Sequence, residues 1–246
     1  GIFAIPMTPW TDSDVIDEDC LRAEIDFICE GAAGILVPVL VSEFQALFDA
    51  AGLRVTVEPF DGVAPAETGT TFADNALIKA HAAADQTGKI SIADDSGLCV
   101  PALQGAPGVL SARYATLFGQ PKGDAHNNAA LVAQLAALQA QSQSPIDRRA
   151  YFVCTLVWVA HAQDPTPTVV QKMWFGEVAD TPQGEHGFGY DPHFWVPKYQ
   201  QTAAQMPREM KNQMSHRAQA TRALLNDLQE RLNLSVELSS GQGIQA

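Results

Sequence analysis

The stretch from Thr70 to Gly97, TTFADNALIKAHAAADQTGKISIADDSG, decides the fold class. Thr70 or Thr71 can cap a helix that runs to about Asp85. Ile90–Ala93 then reads as a strand that ends abruptly in Asp94, Asp95, Ser96 and Gly97. A helix delivering the chain into a strand with polar residues at its end is the working unit of an α/β protein.

The same alternation continues outward. Downstream, a Gly- and Pro-punctuated loop (Gly105–Tyr114) precedes a helix over Asp124–Gln141, with Leu131, Leu135 and Leu138 at helical spacing. Strands at Ala150–Ala160 and Thr168–Phe175, separated by a turn at Asp164–Pro167, have the spacing of a β-hairpin. A loop rich in Gly and Pro (Pro182–Pro197) leads to a last helix carrying Met214, Ala218, Thr221, Leu225, Leu228 and Leu232 on one face. Upstream, Arg54–Glu58 reads as a strand and Ser42–Ala50 as a helix. The first forty residues read as strand–helix–strand: Ile2–Ile5, a helix with Leu21, Ile25 and Ile28, and the β-branched run Ile35–Val41. The expected fold is α/β with a mixed sheet.

Composition narrows the class of partner. Lys and Arg number 15 against 28 Asp and Glu, a net charge of -13, which argues against non-specific binding to nucleic acid or anionic membranes. A phosphorylated small molecule remains compatible, provided a divalent metal and a few placed cations supply the local positive field. No apolar run approaches the roughly 18–20 residues of a membrane span. Neither a signal-peptide pattern nor an Arg-rich transit segment opens the chain, and the expected location is cytoplasmic. Cys20, Cys29, Cys99 and Cys154 are widely spaced with no CxxC pair, so they read as buried thiols rather than zinc ligands.

Five constellations could carry chemistry. Glu67–Phe72 leads into Asn75 and Lys79; Thr71, Asn75 and Lys79 recur every fourth residue and share a stripe suited to polyphosphate oxygens. A capped helix with a solvated polar face is the structural alternative. Asp94, Asp95 and Ser96 at a strand end suit a Mg²⁺ site, a general base, or an ordinary acidic turn. Gly105–Gly108 with Ser111–Tyr114 reads first as a shaped structural loop. In Gly187-Phe188-Gly189-Tyr190-Asp191, an aromatic between glycines can lie flat under a purine and Asp191 can accept from ring N–H groups; a tight turn with a packed Phe is the alternative. Lys211 and Ser215-His216-Arg217 gather cations near the last helix, where His216 also reads as a structural histidine.

Taken in order, ETGTTFADNALIKA, IADDSG, GAPGVLSARY, FVCTLV, HGFGYDPHF and KNQMSHR resemble the inosine/xanthosine triphosphate pyrophosphatase family over about residues 43–232. That resemblance implies an elongated, two-lobed α/β fold with a long central mixed sheet and a nucleotide cleft between the lobes. It also implies a Mg²⁺-dependent homodimeric hydrolase of acid anhydrides, taking dITP, ITP or XTP to the monophosphate and pyrophosphate. By position, Glu67 and Asp95 match its metal carboxylates, with Asp95 also the base that activates water. Asn75 and Lys79 match groups near the phosphates, and Ser96 a substrate contact. Phe188, Gly189, Tyr190 and Asp191 match the base-binding loop. Lys211, His216 and Arg217 match residues that help read the 6-keto group and the ribose-phosphate.

One part of the pattern is missing. The family opens with a strand and an (S/T)-x-N-x-x-K phosphate loop, which should fall near Ile35–Leu40, where the sequence is ILVPVL. Residues 1–47 resemble instead the start of the dihydrodipicolinate synthase/N-acetylneuraminate lyase family, without that family's Schiff-base lysine or tyrosine. The expected organisation is a foreign segment over 1–42, the pyrophosphatase domain over 43–232 and a polar tail over 233–246. Ile35–Val41 is the expected stand-in for the missing first strand. Loss of the phosphate loop implies impaired turnover, with a non-catalytic purine nucleotide-binding protein as the alternative and a pyruvate-dependent lyase remnant a distant third.

Overall fold

The computed structural model describes residues 2–5, 45–46, 49 and 56–239. Its strands form a six-stranded sheet in sequence order. These are β1 (Ile2–Ile5), β2 (Ile90–Cys99), β3 (Arg149–Val159), β4 (Thr168–Val178), β5 (Phe194–Val196) and β6 (Gln201–Thr202). The helices are α1 (Phe72–Thr87), α2 (Asp124–Gln141), α3 (Arg208–Met214) and α4 (His216–Ser239). The α/β class holds. The pairings β1/β2, β4/β5 and β5/β6 are antiparallel, so these strands do not show the mixed character expected of the sheet.

The chain divides into two compact units, one of residues 1–95, 155–170 and 220–246, the other of residues 96–154 and 171–219. The boundary expected near residue 42 lies outside the described residues, as does Ile35–Val41. What the structure does place against β2 is β1, with Ile2 opposite Ala93 and Ile5 opposite Ile90.

In the first unit, α1 is closed at its start by a capping box. The Thr71 hydroxyl accepts from the Asp74 N–H at 3.1 Å and the Asp74 carboxylate accepts from the Thr71 N–H at 3.1 Å. Its buried stripe is Ala76, Ala80, Ala83 and Ala84, packed with Phe60, Ala93, Val157 and Val159. Alanine favours helix strongly and lets the helix backbone come close to its neighbours. The second unit has the bulkier core, built on Leu98, Tyr114, Leu131, Phe152, Trp174 and Phe194. Cys99 and Cys154 are buried free thiols, as expected; Cys20 and Cys29 lie outside the described residues.

Three expectations need correcting. The strand predicted to end at Asp94 continues to Cys99, so the acidic pair sits inside β2. Neighbouring strands on both sides outweigh the weak strand preference of Asp, Ser and Gly. The loop over Pro182–Pro197 contains β5, and β6 and α3 follow it, all too short for periodicity to register. The last helix reaches Ser239 rather than fraying after Asn233.

Candidate active site

Beginning with the first unit, Asn75 and Lys79 lie one helical turn apart on α1 and face inward, 1% and 6% exposed. The solvated-face alternative is thereby excluded. Lys79 Nζ reaches Asp95 Oδ1 at 2.8 Å and Glu67 Oε1 at 3.1 Å, so one ammonium bridges the two carboxylates. Asn75 works from both ends of its amide. Its Oδ1 accepts from the Gly69 N–H at 2.8 Å, fixing the loop that carries Glu67, and its Nδ2 lies 3.4 Å from Asp95 Oδ2.

Burial pushes the Asp95 carboxyl up from the usual carboxylate range, and the Lys79 ammonium only partly opposes it. A carboxylate held in this way is a better proton acceptor than one in water. Lys79, expected beside phosphates, holds the two acidic residues together. Ser96 follows Asp95 in β2, and the alternation of a strand sends it to the opposite face.

Turning to the second unit, Phe188 is 39% exposed, with Lys211 Nζ 5.3 Å and the Arg217 guanidinium 5.6 Å from its ring centroid. Both fall within cation–π range. Asp191 is buried; its Oδ2 accepts from the Phe188 N–H at 2.9 Å and from Lys211 Nζ. The carboxylate expected to meet a purine N–H therefore fixes the loop that presents Phe188. Tyr190 is likewise committed to the core. Its hydroxyl donates to the Ser111 carbonyl at 2.8 Å, and burial pushes its ionisation far above the usual range. Ser111 also caps the loop it belongs to, accepting from the Leu98 N–H at 2.9 Å and donating to the Gly108 carbonyl at 2.6 Å. Within the GAPGVLSARY motif, Ser111 has a structural role.

Lys211 belongs to α3, and Ser215 separates α3 from α4 while its hydroxyl accepts from the Ala218 N–H at 3.2 Å. His216, the first residue of α4, lies against Phe152 with centroids 4.8 Å apart and planes 9° from parallel. Its Nδ1 has no hydrogen-bond partner among the described residues. Burial, and then the charges of Arg217 and Lys211, hold its protonation well below the ordinary 6.5.

That shift makes a prediction about acid. Below pH 6.5 the unfolded chain binds a proton at this position that the folded chain refuses. The contribution to stability is complete above that pH and declines below it, by up to about 1.4 kcal/mol per pH unit. His216→Phe, which continues the aromatic stack, should flatten the acid branch of melting temperature against pH. Parallel acid branches in the two proteins would show that His216 protonates in place.

Asp124 and Asn128 were not singled out in the sequence, yet both bond to the Phe188 loop at Gly189. Helical spacing of leucines was the only signal read in α2, and it says nothing of partners some sixty residues away.

The Ham1 family profile matches residues 41–227. A dITP/XTP pyrophosphatase of Burkholderia pseudomallei is 50% identical over 194 residues, covering 78% of this chain and 90% of that protein. Among solved structures, a HAM1 protein from Coxiella burnetii superimposes with a TM-score of 0.72 at 38% identity, covering 82% of this chain and 96% of that one. A nucleoside-triphosphatase / dITP/XTP pyrophosphatase from Mycobacterium abscessus gives 0.62 at 38% identity, covering 78% and 95%. The match begins at residue 41, which leaves the resemblance of residues 1–47 to a lyase family without support from these relatives.

Proposed function

The chain belongs to the Ham1 family, and on that footing we propose that it hydrolyses non-canonical purine nucleoside triphosphates (dITP, ITP, XTP) to the monophosphate and pyrophosphate. The observation that carries this reading is the Glu67–Lys79–Asp95 cluster, with Lys79 and Asp95 buried, in a chain half identical to a dITP/XTP pyrophosphatase. Asp95 is the base that takes a proton from the attacking water, its carboxylate aimed by Lys79 and Asn75. The phosphoanhydride between the α and β phosphates breaks, and pyrophosphate leaves. Phe188 offers its half-exposed ring to the purine, with Lys211 and Arg217 beside it as donors to a keto oxygen.

A divalent ion fits the donor set. Glu67 and Asp95 are two oxygen ligands held close by one lysine, which suits Mg²⁺, an ion commonly bound through one or two carboxylates, water and substrate phosphates. When bound, Mg²⁺ supplies neutralisation of phosphate charge. A homodimer is supported by the exposed apolar side chains on β4, Val169, Met173 and Phe175.

The test is pyrophosphate release with Mg²⁺ from dITP, ITP, XTP, ATP and GTP. Release from dITP or XTP should exceed release from ATP by at least about tenfold, the factor that one or two hydrogen bonds to a keto group confer. Light scattering on the same preparation should give about twice the 26.4 kDa of one chain. A second reading, nucleotide binding without turnover, is favoured by ILVPVL at Ile35–Leu40, where the family carries its phosphate loop. Calorimetric ITP binding with no pyrophosphate above buffer would select it.

A further inference from the structure

Gly189 is gripped on both of its peptide groups by the first two turns of α2. Its N–H donates to Asp124 Oδ2 at 2.6 Å, and its carbonyl accepts from Asn128 Nδ2 at 2.7 Å. Asn128 Nδ2 also donates to the Asp124 carbonyl at 2.9 Å, tying the two clamping residues to each other. Both bonds reach across more than sixty residues of sequence to the one residue between Phe188 and Tyr190.

Among the described residues, neither side chain bonds to anything outside this clamp. A carboxylate in the first turn of a helix ordinarily serves that helix's own free N–H groups. Here the N-cap is Gly123, the helix has no side-chain cap, and the Asp124 carboxylate is given to Gly189 instead. Asn127 and Asn128 make an internal comparison. Asn127 uses both ends of its amide on the preceding segment, its Oδ1 accepting from the Ala115 N–H at 2.9 Å and its Nδ2 donating to the Ala112 carbonyl at 3.2 Å. Asn128 is also buried, but its Oδ1 has no hydrogen-bond partner among the described residues. Only the donor end of Asn128 is used, and it is used on Asp124 and Gly189.

The clamp acts on the peptide that sets where Phe188 points. With Gly189 N–H and C=O both engaged, the plane between Phe188 and Tyr190 is fixed, and Asp191 fixes the Phe188 N–H from the other side. Tyr190 anchors the next position to the Ser111 carbonyl. The Phe188 ring is thus an exposed aromatic on a loop whose backbone is held on each side of it.

From this we infer that Asp124 and Asn128 are positioning residues for purine recognition, acting through Gly189 on the pose of Phe188. The inference rests on the pyrophosphatase reading above. It predicts a loss in binding the base rather than in the chemical step.

The experiment compares the full-length protein with Asp124→Ala, Asn128→Leu and the conservative Asp124→Asn, which keeps one acceptor. Two readouts are taken: steady-state pyrophosphate release from ITP, and the Gly189 amide resonance of the ligand-free protein. KM should rise about tenfold in Asp124→Ala and Asn128→Leu with kcat within about twofold, as expected when a group aligns substrate without touching the reacting atoms. Asp124→Asn should recover part of that loss. The Gly189 amide proton, downfield in the wild type because it donates to a carboxylate, should move upfield in Asp124→Ala. Unchanged KM together with an unmoved Gly189 resonance would overturn the inference, as would a fall in kcat at constant KM. A wild type that releases no pyrophosphate overturns the functional reading instead, and the amide resonance still judges the clamp.

Discussion

Asp95→Asn should lower pyrophosphate release from ITP by about a thousandfold, the middle of the range for loss of a general base. The substitution keeps the shape of the side chain. Its Oδ1 can still accept from Lys79, whose ammonium also keeps Glu67 Oε1 at 3.1 Å. What disappears is the capacity to take a proton, together with one of the two negative charges offered to a divalent ion. The fold should tolerate the change. Burial raises the folded-state pKa of Asp95 above its unfolded value, so at neutral pH ionisation of this group works against the folded state. Removing the charge relieves that term, and the melting temperature should stay within a few degrees of wild type. Turnover within tenfold of wild type in Asp95→Asn would assign the base elsewhere. A folded, inactive variant that still binds ITP would place the loss in the chemical step.

The site was more legible than the details of the fold around it, for reasons that can be traced to particular residues. Thr70 and Thr71 mark the start of α1 because a hydroxyl before a helical pattern is a local signal, though only the structure selects Thr71, and the expected bounds of α2 agree with those observed. β2 was cut short because Asp94-Asp95-Ser96-Gly97 is turn-like by local preference. Only its sheet neighbours, which lie far away in sequence, make those residues a strand. Glu67, Asn75, Lys79 and Asp95 were named from the sequence, and the structure brings all four together. Their division of labour was not visible. That Lys79 bridges two acids, that Asp191 holds its own loop and that Tyr190 is turned inward depend on directions in space that spacing does not encode. Asp124 and Asn128 escaped notice altogether, since an exposed Asp and one Asn of a pair carry no periodicity.

Gly187→Ala should damage the Phe188 loop severely, and Gly189→Ala is its control. Both residues have positive φ, +86° at Gly187 and +59° at Gly189, so either alanine incurs a backbone cost of about 1 kcal/mol. The surroundings differ. Among the described residues a Cβ at Gly189 meets nothing within 4 Å, whereas one at Gly187 would overlap Asp191 Oδ2 and lie 2.8 Å from Lys211 Nζ. Those are the two atoms whose contact locks the loop, and Asp191 has no room to retreat because it is buried. To admit the methyl, either the ion pair opens, leaving a buried carboxylate short of its cation, or the Phe188 loop shifts as a body. The first course costs about 3 kcal/mol, the usual consequence of separating a buried pair. The second moves the ring on which the purine is proposed to lie, and a displacement near 1 Å can cost about a hundredfold. Gly187→Ala should therefore raise KM for ITP by about two orders of magnitude or melt well below Gly189→Ala, whose KM should stay within a few-fold of wild type. Equal behaviour of the two variants would mean that the Asp191–Lys211 contact does not hold the loop.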